Sequence, residues 1–238
     1  MSLFQDLQVE NDIAVVEDKV GGGFAKIETT GLYNFTIEKA FAGQSDSGAY
    51  SVTVHLKADN GAKLQITEYI TSGSAKGCKN YYLDKTGTKQ FLPGYNKIKN
   101  LDALIGYDRN YPKTTKGQIM LWDYDSKSEL PVEKEVITEW IGKQVSALII
   151  KRLEDKYSNP SQVVTKYEVE HFLDSKTSQT RNEKVAGLFG FSDKWLSKHP
   201  STFVSDKRVQ SKNAPTEVAV STGNASIDVA TDDSPFGF

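Results

Sequence analysis

The chain has 238 residues, 38% of them hydrophobic and 25% charged, with a formal charge of −2. That is enough chain to bury a core and too apolar a chain to stay wholly disordered. One cysteine, Cys78, excludes an internal disulfide framework and a cysteine-rich zinc site, and no apolar run reaches the ~18 residues of a membrane span.

Residues 1–7 carry neither the basic nor the apolar region of a signal peptide, which predicts an intracellular, cytoplasmic protein. Gly21-Gly22-Gly23 follows an amphipathic start. A phosphate loop needs a buried strand before its glycines and a helix after them, and neither is legible, so residues 1–30 read as an N-terminal arm and Gly-rich linker. From Gly31 the pattern turns to period two. Tyr33, Phe35 and Ile37 alternate with Asn34, Thr36 and Glu38. Then Tyr50, Val52, Val54, Leu56 and Ala58 alternate with Ser51, Thr53, His55 and Lys57. Such alternation marks half-buried strands. Asp59-Asn60-Gly61 is a hairpin signal and predicts a third antiparallel strand over 64–70.

Tyr81-Tyr82-Leu83 and Gln90-Phe91-Leu92 flank Lys85-Thr86-Gly87 and predict a small hairpin. Tyr95, Ile98, Leu101 and Ile105 fall near helical spacing and stop at Gly106, which predicts one short helix. Strand signals resume over 118–124, 145–153 and 163–173; the second is apolar on both faces and belongs in the middle of a sheet. Residues 131–140 are expected as strand, and 181–208 as short helical pieces around Trp195. Residues 214–238 contain no Lys or Arg and four acids, Glu217, Asp228, Asp232 and Asp233; the rest of the chain sets 29 basic residues against 27 acids. Low hydrophobicity without periodicity predicts a disordered acidic tail there. The expected fold is mainly β. It is an OB-fold-like antiparallel Greek-key barrel over 31–213, with insertions near 76–115 and 180–210 and one or two short helices.

The segment 76–99 carries the most chemistry. It holds six lysines, Lys76, Lys79, Lys85, Lys89, Lys97 and Lys99, against one acid, Asp84, and interleaves Tyr81, Tyr82, Phe91 and Tyr95. Binding single-stranded nucleic acid without sequence preference needs this mixture. Ammonium groups neutralise phosphates and release counterions, and aromatic faces stack on unpaired bases that a duplex hides. Tyr81 and Tyr82 are adjacent, so on a strand they point to opposite faces and at most one stacks if the other is core. Other chemistries are thinner. His55, His171 and His199 have no ligand partner at metal spacing, no Gly-x-Ser-x-Gly elbow occurs, and no cofactor motif is present. Cys78, between Lys76 and Lys79, is a lone thiol in a Lys-rich loop. Asp123, Asp125 and Glu133 are the candidate cation ligands of an alternative reading, a metal-dependent nuclease. A β-rich virion or scaffold protein is a third.

Asp232-Asp233-Ser234-Pro235-Phe236 resembles the tail tip of bacterial single-stranded DNA-binding proteins, which ends in several Asp, an apolar residue, Pro and Phe. The whole plan resembles the single-stranded DNA-binding proteins of tailed bacteriophages: an OB-fold body, a basic aromatic groove and an acidic tail closing on an aromatic residue. The resemblance implies a non-enzymatic protein of replication, recombination and repair that coats exposed single-stranded DNA. It implies recruitment of replication or recombination proteins through Asp232, Asp233, Pro235 and Phe236. In the bacterial family the last Phe bears the carboxylate that partners clamp; here Gly237 and Phe238 follow, so Phe236 and Phe238 are both candidates for the docking ring.

Overall fold

The computed structural model describes residues 25–208. The N-terminal arm through residue 24 and the expected acidic tail, with its tip residues Asp232, Asp233, Pro235, Phe236 and Phe238, lie outside the described residues. Ten strands, three helices and two 3₁₀ turns make up the described chain, and β structure dominates.

Strand β1 (Gly31–Gln44) organises the sheet. A bulge between Ile37 and Lys39 bends it, so its two halves serve different neighbours. One edge pairs antiparallel with β2 (Tyr50–Ala58) from Phe35 to Gln44. The other edge pairs first with β8 (Gln144–Lys156), then at Phe41 and Ala42 with β7 (Ser128–Val136). β3 (Lys63–Tyr69) returns from β2 across the Asp59-Asn60-Gly61 turn, where Asn60 Oδ1 accepts the Ala62 amide at 3.0 Å. Among the described residues β6 (Thr115–Asp123) pairs only with β7, and β9 (Asn159–Leu173) only with β8. β10 (Val204–Asp206) extends the sheet on β8 beyond the start of β1 and pairs with it in parallel. A separate two-stranded ribbon, β4 (Tyr81–Leu83) and β5 (Lys89–Phe91), stands apart from this sheet.

The main path runs β3-β2-β1-β8-β9, with α1 (Pro93–Leu104) between β3 and the later strands in sequence. The closed barrel expected from the sequence does not form among the described residues. β3 and β9, whose pairing would seal the seam, are not hydrogen-bonded to each other, and α1 packs against both. The core lies beneath. Phe35, Ile37, Val52, Val54, Leu56, Val145, Ala147 and Ile149 from the strands meet Ile98 and Leu101 from the helix, and Trp140 fills the end. β8 is buried on both faces, as its sequence requires: Leu148 and Ile150 look the other way, onto Trp195 of α3 (Phe191–Lys198). A short α2 (Arg181–Ala186) precedes it.

Two local expectations need correction. Strand β7 ends at Val136, and Thr138–Trp140 form a 3₁₀ turn, because Trp140 turns inward and donates its indole N–H to Asp102 Oδ1 at 2.9 Å. On the polar side of β2's alternation, where a half-buried strand would meet water, Ser51 and Thr53 are each only 7% exposed, and the Thr53 hydroxyl meets that of Thr67 across the strand pair at 3.0 Å. Among the described residues no helix is long and apolar enough to cross a membrane.

Candidate nucleic-acid interface

The lysine-aromatic segment is held by what flanks it. At its end, the first turn of α1 presses against β3: a Cβ on Gly94 would sit 2.4 Å from the Tyr69 carbonyl oxygen, so no other residue fits without moving backbone. At its start, the Lys79 amide donates to Ser72 Oγ at 2.9 Å, and the Leu92 amide closes on the Asn80 carbonyl at 2.9 Å. The ribbon turn is built around Asp84. Its Oδ1 accepts the amides of Thr86 and Thr88, both at 2.9 Å, and the Thr86 hydroxyl at 2.6 Å. The hydroxyl bond first and the Thr88 amide next hold the Asp84 carboxyl below its ordinary pKa. The segment's one acid is thus a structural anion that fixes the turn.

The register then places rings in a row. Tyr81 lies opposite Phe91 across the ribbon. Phe91 is 5.0 Å from the ring of Tyr95, and Tyr95 is 5.6 Å from the ring of Tyr111, edge to face. Three ammonium groups hang over this row: Lys89 Nζ at 4.8 Å and Lys79 Nζ at 5.8 Å from the Tyr81 centroid, and Lys99 Nζ at 6.0 Å from that of Phe91. Phe91 and Tyr111 are about half exposed, at 49% and 47%. Tyr95 between them is 3% exposed; it supports the two outer rings from below.

Tyr111 reaches this position because its loop is anchored from the core. Asp102 on α1 is 1% exposed and is fully engaged. It accepts the Arg109 amide at 2.7 Å, Arg109 Nη2 at 2.8 Å and the Trp140 indole at 2.9 Å. Arg109 also pairs with Glu139. The Asp102 bond, against the cost of burial, and the Glu139 bond push the Arg109 guanidinium further toward its charged form. Beyond Tyr111 the row opens into a groove of about 580 Å³ bounded by Tyr50, Thr71, Cys78, Pro112 and Glu135. Tyr50, at the start of β2, is 47% exposed and adds a second ring there. Glu135 is the groove's negative wall.

The arrangement brings together Lys79, Tyr81, Lys89, Phe91 and Lys99. Lys85 is exposed beside the ribbon turn, and Lys76 ends the 3₁₀ turn Ser74–Lys76 ahead of it. Tyr82 is half-buried on the opposite face of β4 from Tyr81. Two expected members belong elsewhere. Tyr95 is a core residue, since its ring has almost no free face to offer a base. Lys97 lies on the other flank of α1, where its Nζ meets Glu68 Oε1 at 2.5 Å. Two rings that the sequence reading passed over, Tyr50 and Tyr111, complete the surface; the basic-aromatic run Arg109-Asn110-Tyr111-Pro112-Lys113 was the available signal for the second.

Of the nuclease candidates, Asp123 and Glu133 are held far apart. Asp123 pairs with Ser128 and Glu133 with Gln118, five residues apart on β6, which is ~17 Å along the strand. Asp123 Oδ2 instead accepts the Ser126 amide at 2.8 Å, closing the hairpin. Among the described residues no group of three or more His, Cys, Asp or Glu side chains is placed to hold a metal ion. No protein-family model matches the chain, and no curated protein matches it.

Proposed function

We propose that this protein binds single-stranded DNA without sequence preference, as a non-enzymatic component of phage replication, recombination and repair. The observation that carries the reading is the row Tyr81–Phe91–Tyr95–Tyr111 with the ammonium groups of Lys79, Lys89 and Lys99 above it. Exposed ring faces offer unpaired bases ~1–3 kcal/mol each, irrespective of base identity. Lysines beside the rings can track the phosphates that join those bases. The strand order supports an OB-type reading of the body, with the barrel left open and α1 spanning the seam. In such folds the second and third strands and the first connecting loop face the oligonucleotide, and Tyr50 stands where that loop enters β2. The acidic tail is then the arm that recruits replication or recombination proteins, through Asp232, Asp233, Pro235 and Phe236 or Phe238.

The test is an anisotropy titration of labelled oligo-dT and of a duplex of equal length, each at low and high salt. Tight, salt-sensitive binding to the single strand and weak binding to the duplex are expected. Absence of binding to the single strand at low salt would sink the reading and leave a scaffold protein as the better one. Loss of intact oligonucleotide on adding Mg²⁺ would instead revive the nuclease.

A further inference from the structure

The groove beyond Tyr111 differs from the aromatic row in its charge. Strand register builds its floor. Glu135 of β7, Ala42 of β1 and Val52 of β2 are successive partners across three strands, so their side chains share one face. Val52 is fully buried and the Ala42 side chain ends at its methyl, so a depression opens beside the Glu135 carboxylate. Tyr50 and Tyr111, each 47% exposed, border it, and Thr71, Cys78 and Pro112 close the rest. Its volume, about 580 Å³, lies within the ~300–1,000 Å³ of small-ligand sites and leaves room for a base.

Among the described residues, Glu135 is the one charged side chain that lines this groove. It is half-buried, and among the described residues its carboxylate accepts no hydrogen bond and joins no ion pair. Its ladder partner on β6, Lys116, is exposed and lies on the side away from Ala42. A partly desolvated carboxylate without a cation repels phosphate and calls for hydrogen-bond donors. The ammonium groups of Lys79, Lys89 and Lys99 stand over the rings of the row instead. A strand laid along the row therefore keeps its phosphates near those lysines and turns only a base toward Glu135.

Base chemistry decides which base. Cytosine and adenine carry exocyclic amino groups, whose N–H bonds a carboxylate accepts; glutamate to the cytosine amino group is a recurrent readout contact. Thymine presents a carbonyl oxygen at the same place, and two acceptors repel. We infer that the groove between Tyr50 and Tyr111 is a base-reading pocket, which takes one unpaired base carrying an exocyclic amino group, bonds that group to Glu135 and disfavours thymine. The inference rests on the single-strand reading above and deepens it. Stacking on the row is blind to base identity, so the preference belongs to this one position and is superimposed on binding to any single strand.

The test is an anisotropy titration of the full chain at neutral pH with three labelled oligomers of equal length. They are oligo-dC, oligo-dT and an oligomer of 2-pyrimidinone nucleotides, which is cytosine without its amino group. The wild type should bind oligo-dC at least about fivefold tighter than the 2-pyrimidinone oligomer, the loss of one hydrogen bond to a charged acceptor. Glu135→Gln should shrink the dC-to-dT affinity ratio at least about fivefold. It should do so by lowering affinity for oligo-dC and raising it for oligo-dT, because a carboxamide can donate to the thymine carbonyl. A residue with only a structural role would move both oligomers the same way. Lys79→Ala, which removes an ammonium from the row, should weaken both and leave the ratio intact. Equal binding of oligo-dC and the 2-pyrimidinone oligomer by the wild type, or a dC-to-dT ratio that Glu135→Gln leaves unaltered, would overturn the pocket while single-strand binding stands. No affinity for any of the three oligomers would overturn the single-strand reading and the pocket together.

Discussion

Truncating Phe91 to alanine separates stacking from folding. The ring is 49% exposed, so about half its surface is already in water. An aromatic side chain buries ~150–250 Å² when fully covered, so the folded state loses on the order of 100 Å² of contact here, an upper limit of ~2.5 kcal/mol. The ribbon is peripheral to the main sheet, so much of that loss falls on a local element. If the ring stacks on a base, affinity for oligo-dT should fall by ~1–3 kcal/mol, or about 5- to 150-fold. The slope of log affinity against log salt should not change, because no ammonium group is removed. Tyr95→Ala is the contrast. It empties a site that is 3% exposed and should cost ~3–5 kcal/mol of stability, so its effect on binding follows unfolding. The assay is anisotropy at four or more salt concentrations, with a thermal melt of each variant. Wild-type affinity in a folded Phe91→Ala protein would refute the stacking argument; a parallel downward displacement of the salt plot is its signature.

Other outcomes follow from the same geometry. Lys79→Ala and Lys89→Ala should each lower the single-strand salt slope by ~0.7, while Lys97→Ala, whose ammonium is held by Glu68, should leave it unchanged; the titrations above read all three. Asp102→Ala strips Arg109 and Trp140 of a buried acceptor and should cost ~3–5 kcal/mol, a melting-temperature drop on the order of 10 °C by calorimetry, with Tyr111 displaced as a consequence. Burial pushes the Asp174 carboxyl up, but Lys184 Nζ at 2.5 Å and the Lys176 and Thr177 amides outweigh it and hold the pKa at about 2. A depressed carboxylate contributes stability that is full above its unfolded pKa of ~3.9 and is lost as pH falls through about 2. Unfolding midpoints measured from pH ~5 downward should therefore decline more steeply in the wild type than in Asp174→Asn, and equal slopes would remove Asp174 from the account.

The strands were legible where one face is dry. β2 alternates cleanly because Val52, Val54, Leu56 and Ala58 face the core, and β8 reads as a continuous apolar run because the sheet neighbours it on both edges and side chains cover both faces. β6 and β7 were harder. Met120, Trp122 and Leu130 are 43%, 54% and 42% exposed on a hairpin that leaves much of its surface in water, so burial imposes little pattern there. Barrel closure was not legible at all. It depends on whether β3 and β9, some ninety residues apart, meet edge to edge or are held apart by a helix, and no local pattern encodes that choice.

The site was legible as composition and misread as geometry, and α1 shows why. The spacing of Tyr95, Ile98 and Leu101 that reveals the helix also puts Tyr95 on its buried stripe, so it could not also be a free stacking face. Lys97 and Lys99 are two residues apart, hence about 200° around the helix, and could not both overlook one groove. The structure sends Lys99 toward Phe91 and Lys97 toward Glu68. Tyr111 was invisible for the converse reason. Its place is set by Asp102, a charged residue on the helix face that otherwise reads as core, through a buried pair with Arg109. One helix thus carries three surfaces. Its apolar stripe seals the open seam of the sheet, one flank supports the aromatic row, and the other holds Lys97 against Glu68 of β3. A shift of α1 on the core would move the aromatic row with it. Substitutions at Ile98 or Leu101, 2% and 0% exposed, should therefore lower strand affinity and the melting temperature together, whereas Lys89→Ala should lower affinity alone.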